Sequence, residues 1–185
     1  MMPELSLNIL DITNNSIVAG ATLVIIHITV NTAMDFLTIK IKDNGNGMTE
    51  EQLSCVVDPF YTTRTTRNVG LGIPFFKSQA EAAGGTFHIT STVGEGTTVD
   101  ASFVLSHIDR MPLGDITASI HSLITCNPTI DFDYIYSYDE RSFELDTRTF
   151  RTILKDIPLN TKEVSNYIKE YLAENKLAVD GGNIL

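Results

Sequence analysis

Basic residues are scarce in this chain: 13 Lys and Arg stand against 23 Asp and Glu, for a net charge of -10. Neutralising a phosphate backbone takes clustered Lys and Arg, so a nucleic-acid-binding surface is excluded from the expected functions. The acidity itself speaks for solubility. Cysteine is nearly absent as well: Cys55 and Cys126 lie far apart, without the spacing of a metal-ligand set, and are expected to be reduced, mostly buried thiols. Long apolar runs are missing. The longest, "LVIIHITV", falls well short of the ~20 residues that cross a bilayer. The N-terminus lacks the basic start and small-residue cleavage site of a secretory signal, which points to the cytoplasm and to no membrane partner. There is no internal repeat or low-complexity stretch, so disorder is expected only at the ends, the tail "DGGNIL" foremost. A chain of 185 residues holds one packed domain with an appendage, or two small domains.

What is present is ordered pattern. Leu5, Ile9 and Ile12 recur at helical spacing as far as Ala19, with Gly20 as a stop. The β-branched runs "TLVIIHITV" and "DFLTIKIK", joined by "NTAM", read as a hairpin. "DNGNGM" then leads into "TEEQL", where Thr49 and Gln52 have the spacing of a capping box. "GLGIPFFKSQAEAAGG" reads as a helix that opens on glycines and closes on Gly84 and Gly85. "TFHITST" and "TTVDASFVL" alternate around "VGEG" as a further strand pair. This order predicts an α/β (α+β) two-layer sandwich, an open mixed β-sheet with helices on one face, over residues 1–106.

Residues 107–185 are expected to form a small α+β C-terminal appendage packed on that unit. It would comprise a short helix over 115–125, a strand placing Ile130, Phe132, Tyr134, Tyr136 and Tyr138 on one face, and "SFELDTR" pairing with it. A last helix is expected to begin near Asn160, with Glu163 as cap partner and Tyr167, Ile168, Tyr171 and Leu172 on its buried side. The alternating tyrosines suit a core, or the face of a homodimer.

Four polar pieces carry the chemistry. Asp11 and Asn15, four apart, point a carboxylate and an amide oxygen from one helix face, an arrangement for a base plus a magnesium ligand. Asp43 precedes Gly45 and Gly47, where missing side chains let a flat ring approach the backbone, and its carboxylate can accept from an exocyclic amine. Gly70 and Gly72 precede a helix, so free N–H groups and the helix dipole face an anion such as phosphate. The turn "VGEGTT" offers the hydroxyl of Thr97. Between the second and third pieces, "DPFYTTRTTR" has the composition of a lid. Taken singly, each piece is an ordinary polar helix face or turn.

Taken in order, they resemble the Bergerat-fold ATP-binding domain shared by gyrase, Hsp90, MutL and the histidine kinases. "DITNNSIVAGA" looks like the N box, "DNGNGM" the first glycine box, "DPFYTTR" the F box of kinases, "GLGIPFFK" the second glycine box and "VGEGTTV" the closing one. The resemblance implies ATP and Mg2+ as cofactors. It gives Asn15 the metal and Asp11 the polarising or basic carboxylate. Asp43 would read the adenine amino group, in a pocket shaped by Gly45, Gly47, Met48 and Thr97. Gly70, Leu71 and Gly72 would face the phosphates, with Arg64 approaching from the lid. Two positions depart from the family pattern. Asp11 stands where relatives carry Glu, and Val18 stands where many kinases have a phosphate-facing lysine, a charge that Arg64, Arg67 or Lys77 would have to replace.

The stretch "SHIDRMPL" matches the kinase phosphoacceptor sequence in the spacing of Ser106, His107, Arg110, Pro112 and Leu113. Ile108, however, replaces the acid that follows the histidine, and Asp109 comes one position late. His107 also follows the last strand, where kinases carry it on a long dimerisation helix ahead of the ATP domain. "SHIDRMPLGD" is therefore read as a domain junction, with His107 kept as a lesser phosphoacceptor candidate. The expected type is a kinase-like catalytic domain without a preceding dimerisation and phosphoacceptor domain. The expected function is a Mg-ATP-binding regulatory protein that phosphorylates or regulates a protein partner. A non-kinase, slow ATPase switch and a binding-only nucleotide sensor are the alternatives.

Overall fold

A computed structural model describes residues 4–57, 72–155, 157–183 and 185. The chain opens with α1 (Leu5–Val18), whose apolar stripe Leu5, Ile9 and Ile12 is buried. β1 (Leu23–Asn31) and β2 (Phe36–Asp43) form the expected antiparallel hairpin, in the register Val24 to Asp43. In β2 the residues Leu37, Ile39, Ile41 and Asp43 are buried and Phe36, Lys40 and Lys42 are exposed. That alternation covers one face of the sheet with helices and leaves the other open.

α2 (Glu50–Val56) starts at a complete capping box: Thr49 Oγ1 accepts from the Gln52 N–H at 3.2 Å, and Gln52 Oε1 accepts from the Thr49 N–H at 2.9 Å. α3 (Gly72–Ala82), β3 (Phe87–Thr92) and β4 (Gly96–Val104) follow. α4 (Ile116–Cys126), β5 (Asp131–Tyr138), β6 (Arg141–Asp146), α5 (Thr147–Leu154) and α6 (Lys162–Asp180) complete the described elements.

The six strands make one mixed sheet in the order β3-β4-β2-β1-β5-β6. β5 lies parallel to β1, and each other neighbouring pair is antiparallel. Residues 107–185 thus supply two strands that lengthen the same sheet. Their buried side chains, among them Ile116, Ile120, Phe132 and Ile168, belong to one core with Leu5, Ile26 and Phe76. Tyr134 and Tyr136 are 2% and 0% exposed, so they pack this core. Tyr171 bonds the Glu144 carbonyl through its hydroxyl at 3.2 Å.

Four local expectations need correction. Cys126 is exposed and Cys55 only half-buried, where both were expected to be mostly buried. α6 is capped at Thr161, one residue later than read, and without a side-chain cap bond. Tyr167 is 57% exposed: it lies on the outer side of an aromatic stack with Phe150 and Tyr171. Thr147 and Arg148, read as the end of a strand, and residues 149–154, which carried no reading, form α5, started by Asp146 accepting from the Arg148 N–H at 2.8 Å. Among the described residues no helix is long and apolar enough to cross a membrane.

Candidate functional site

The site is built at one end of the sheet, on the side facing the helices. Lys42 pairs with Thr98 and Thr97 with Ser91, so Asp43, Thr97 and Ser91 stand side by side across β2, β4 and β3. Asp43 is 6% exposed, and a carboxylate so buried needs donors to replace its lost water. It has them. Oδ1 accepts from the Gly45 N–H at 2.9 Å and the Thr97 N–H at 3.2 Å, and Oδ2 accepts from the Ser16 hydroxyl at 2.6 Å. No described Lys or Arg forms an ion pair with it. Among the described residues, the charge of Asp43 is therefore held by neutral donors alone. Three donors occupy three of its roughly four acceptor directions, leaving room for one more.

The turn after Asp43 is pinned from both sides. Asn44 Oδ1 accepts from the Thr22 and Leu23 N–H groups at 2.9 Å each, the Asn46 N–H donates to the Ala19 carbonyl at 2.8 Å, and the Asn46 carbonyl accepts from the Gly94 N–H at 2.8 Å. Gly47 takes φ +65°, and a Cβ there would run into the Thr92 carbonyl. Only glycine fits such a left-handed, close-approach position. The next residue, Met48, is half-buried and donates its N–H to Ser91 Oγ at 2.9 Å.

α1 packs against both β2 and α3 and carries two sets of polar groups. Ser16 continues the buried stripe and reaches Asp43. Asp11 and Asn15, half-buried, share the neighbouring face one turn apart. The Asp11 carboxylate lies against the start of α3, so close that a Cβ at Gly72 would overlap its Oδ2. A helix N-terminus has unpaired N–H groups and the positive end of its dipole, which is a favourable place for this carboxylate and for any phosphate. Asp11 and Asn15 are oxygen donors of the kind that suits a hard divalent cation. Arg64, Arg67, Gly70 and Leu71 lie outside the described residues. Val18 is 75% exposed, and Lys77 faces Glu81 on the surface of α3 at 4.0 Å.

His107 sits at the far end of α3. Its ring packs near Gly84, twelve positions beyond Gly72, or about 18 Å along a helix axis. Nδ1 accepts the Asp109 N–H at 3.1 Å, which leaves the proton of the neutral ring on Nε2. The neighbours are engaged in holding the junction: Ser106 Oγ donates to Asp35 at 2.6 Å, and Arg110 donates to the carbonyls of Leu105 and Met111 at 2.7 and 3.0 Å.

Two residues that sequence reasoning passed over complete the site, Ser16 and Ser91. Each had a signal: a hydroxyl standing where an apolar residue would continue the pattern, after Leu5, Ile9 and Ile12 in α1 and after Phe87 and Ile89 in β3.

Residues 2–107 match the profile of the family described as histidine kinase-, DNA gyrase B-, and HSP90-like ATPase. Over 90 residues the chain is 31% identical to the non-motile and phage-resistance protein of Caulobacter vibrioides, a match covering 46% of this chain and 11% of that protein. It is 32% identical over 88 residues to the sensor protein kinase WalK of Staphylococcus haemolyticus, covering 45% of this chain and 14% of the relative. With the sensor histidine kinase YvrG of Bacillus subtilis the identity is 29% over 82 residues, covering 42% and 14%. The chain thus spans a small part of the length of these relatives. A crystal structure of the N-terminal domain of a DNA repair protein superposes with a TM-score of 0.56 at 17% identity, covering 77% of this chain and 52% of that one. At that identity the likeness concerns the fold.

Proposed function

The chain belongs to the family of histidine kinase-, DNA gyrase B- and HSP90-like ATPases, and from that membership we propose that it binds ATP with Mg2+ and phosphorylates or regulates a protein partner. The observation that carries this reading is the Asp43 carboxylate, buried, held by neutral donors and with an acceptor direction to spare. Such a group suits the exocyclic amine of adenine. Gly45, Gly47, Met48 and Thr97 form the walls of the base pocket. Gly70, Leu71 and Gly72 receive the phosphates at the start of α3, with Arg64 as a lid cation. Asn15, with Asp11 beside it, offers oxygen ligands to the metal, whose chemistry is to neutralise triphosphate charge and orient the γ-phosphate.

Asp11 polarises the attacking group, and its side chain is one methylene shorter than glutamate. Water activation is accordingly slow, which favours transfer or regulation over rapid hydrolysis. The similarity to sensor kinases supports the kinase side of the reading. Residues 1–106 carry the nucleotide, in the cytoplasm, and residues 107–185 form the C-terminal extension. His107 is a poor acceptor, because its ring lies at the other end of α3 from Gly72 and its Nε2 carries the proton.

Incubation with Mg2+ and γ-labelled ATP tests this. Saturable ATP binding that weakens by about 100-fold in Asp43→Asn, with no acid-labile label on the chain and slow release of free phosphate, is the expected result. Label that depends on both Asp43 and His107 would overturn the partner-directed reading. Rapid multiple turnover would identify a simple ATPase, and absence of binding would remove the proposal.

A further inference from the structure

Ser91 Oγ has three polar neighbours: the Met48 N–H at 2.9 Å, the Gly96 carbonyl oxygen at 3.0 Å and Thr97 Oγ1 at 2.8 Å. A serine hydroxyl has one proton and two lone pairs. The Met48 N–H can only donate and the Gly96 carbonyl can only accept. If Ser91 gave its proton to Thr97, its contact with Gly96 would set two oxygens against each other at 3.0 Å with no hydrogen between them. All three contacts become hydrogen bonds in one arrangement: Met48 and Thr97 donate to Ser91, and Ser91 donates to Gly96. The Thr97 proton is thereby turned toward β3, and its oxygen has only lone pairs left for the pocket. Asp43 beside it, already accepting from Ser16, Gly45 and Thr97, is acceptor-only as well.

We propose that Ser91 is a positioning residue that, through Thr97, fixes the hydrogen-bond polarity of the base pocket, so that it takes a purine with an exocyclic 6-amino group and rejects one with a 6-oxo group. An amino group brings two N–H donors to two waiting acceptors. A 6-oxo oxygen would face the lone pairs of Asp43 and Thr97, and buried groups without partners are the strong source of discrimination between near-isosteric ligands. The inference rests on the ATP-binding reading and adds to it the residue that sets the selectivity.

The test is calorimetric titration of the full chain with Mg-ATP and Mg-ITP, which differ at the 6-position of the base, for wild type, Ser91→Ala, Ser91→Thr and Thr97→Val. Thermal unfolding of each variant checks that it folds. Wild type is expected to prefer ATP by about 100-fold. Ser91→Ala frees the Thr97 hydroxyl to donate, and the ratio is expected to fall by about tenfold. Ser91→Thr restores the hydroxyl on a side chain that suits a strand and keeps the wild-type ratio. Thr97→Val preserves the backbone donor to Asp43 while removing the oriented oxygen, so it lowers the ratio even if Ser91→Ala fails to fold. An unchanged ATP-to-ITP ratio in folded Ser91→Ala or Thr97→Val, whatever happens to absolute affinity, overturns the inference and leaves ATP binding standing. Wild type binding neither nucleotide removes the ATP reading and this inference with it.

Discussion

Two carboxylates are buried among the described residues, Asp43 at 6% exposure and Asp180 at 0%, and their surroundings differ in one respect that separates a candidate site from a staple. Each accepts three hydrogen bonds. Asp43 receives them from a serine hydroxyl and two backbone N–H groups, all neutral. Asp180 receives them from the Tyr136 hydroxyl at 3.0 Å, the Gly182 N–H at 2.9 Å and the Lys176 ammonium at 2.6 Å. Lys176 also lies over the Tyr136 ring, 5.5 Å from its centroid. The charge of Asp180 is cancelled inside the fold and ties the end of α6 to β5. The charge of Asp43 is cancelled by none of the described residues, so it remains available to a ligand. A buried acid becomes a binding group when its donors are neutral and incomplete, and a structural one when a cation closes the shell.

The largest expected effect comes from removing that cation. Lys176→Met leaves Asp180 buried and uncompensated, and urea unfolding should show a loss of about 3–5 kcal/mol. The double variant Lys176→Met/Asp180→Leu should recover only part of it, since it removes the uncompensated charge but leaves the buried Tyr136 hydroxyl and the Gly182 N–H without their acceptor. ATP affinity of the folded Lys176→Met protein should be unchanged; a parallel loss would mean that the two regions are coupled and would break the comparison.

Asp43→Asn is the mirror experiment. ATP affinity should fall by about 100-fold, or ~2.7 kcal/mol, while stability shifts by about 1 kcal/mol, because the amide keeps an acceptor and no ion pair is broken. Ser16→Ala then asks how much of the site depends on the donor beneath the carboxylate. Removing one hydrogen bond to a charged group should lower ATP affinity by about tenfold, or ~1.4 kcal/mol, read by the same titration.

The smallest effect appears only in alkali. Burial first, and then the charge and hydrogen bond of Asp180, push the Tyr136 phenol well above its ordinary range. A raised acid stays protonated in the folded state, so its stabilisation is complete below the unfolded value of about 10 and declines as pH rises above it. The unfolding midpoint of Tyr136→Phe should therefore fall less steeply than that of wild type above pH ~10. Equal slopes would assign the alkaline loss to other groups, such as the buried Tyr134, whose phenol is also raised by burial.

Much of the first half of the fold was legible because its signals are local. The capping box at Thr49 and Gln52, the stop at Gly20 and the alternation of β1 and β2 are each contained in a few neighbouring residues. The second half was less so. α5 escaped although Phe150, Ile153 and Leu154 stand at helical spacing, because it is only eight residues long and three of them are threonines, and Tyr167 was turned the wrong way because its neighbour in the stack, Phe150, stands on that unread helix. At the candidate site, Asp11, Asn15, Asp43 and Thr97 were expected from the motifs, whereas Ser16 and Ser91 were not. Their role depends on what faces them across the sheet.

That division follows from range. Apart from α5, the sequence by itself determined which segments are helix or strand, where glycine turns interrupt them and which acidic residue ends β2. Periodicity, caps and turn chemistry act over one or two turns of chain. Only the tertiary structure decided that β5 runs parallel to β1, and that Asp43 meets Ser16 and Thr97, 27 and 54 positions away. Such partners are chosen by packing the whole sheet against its helices, and the hydrogen-bond capacity left on Asp43 is what remains once that packing is complete.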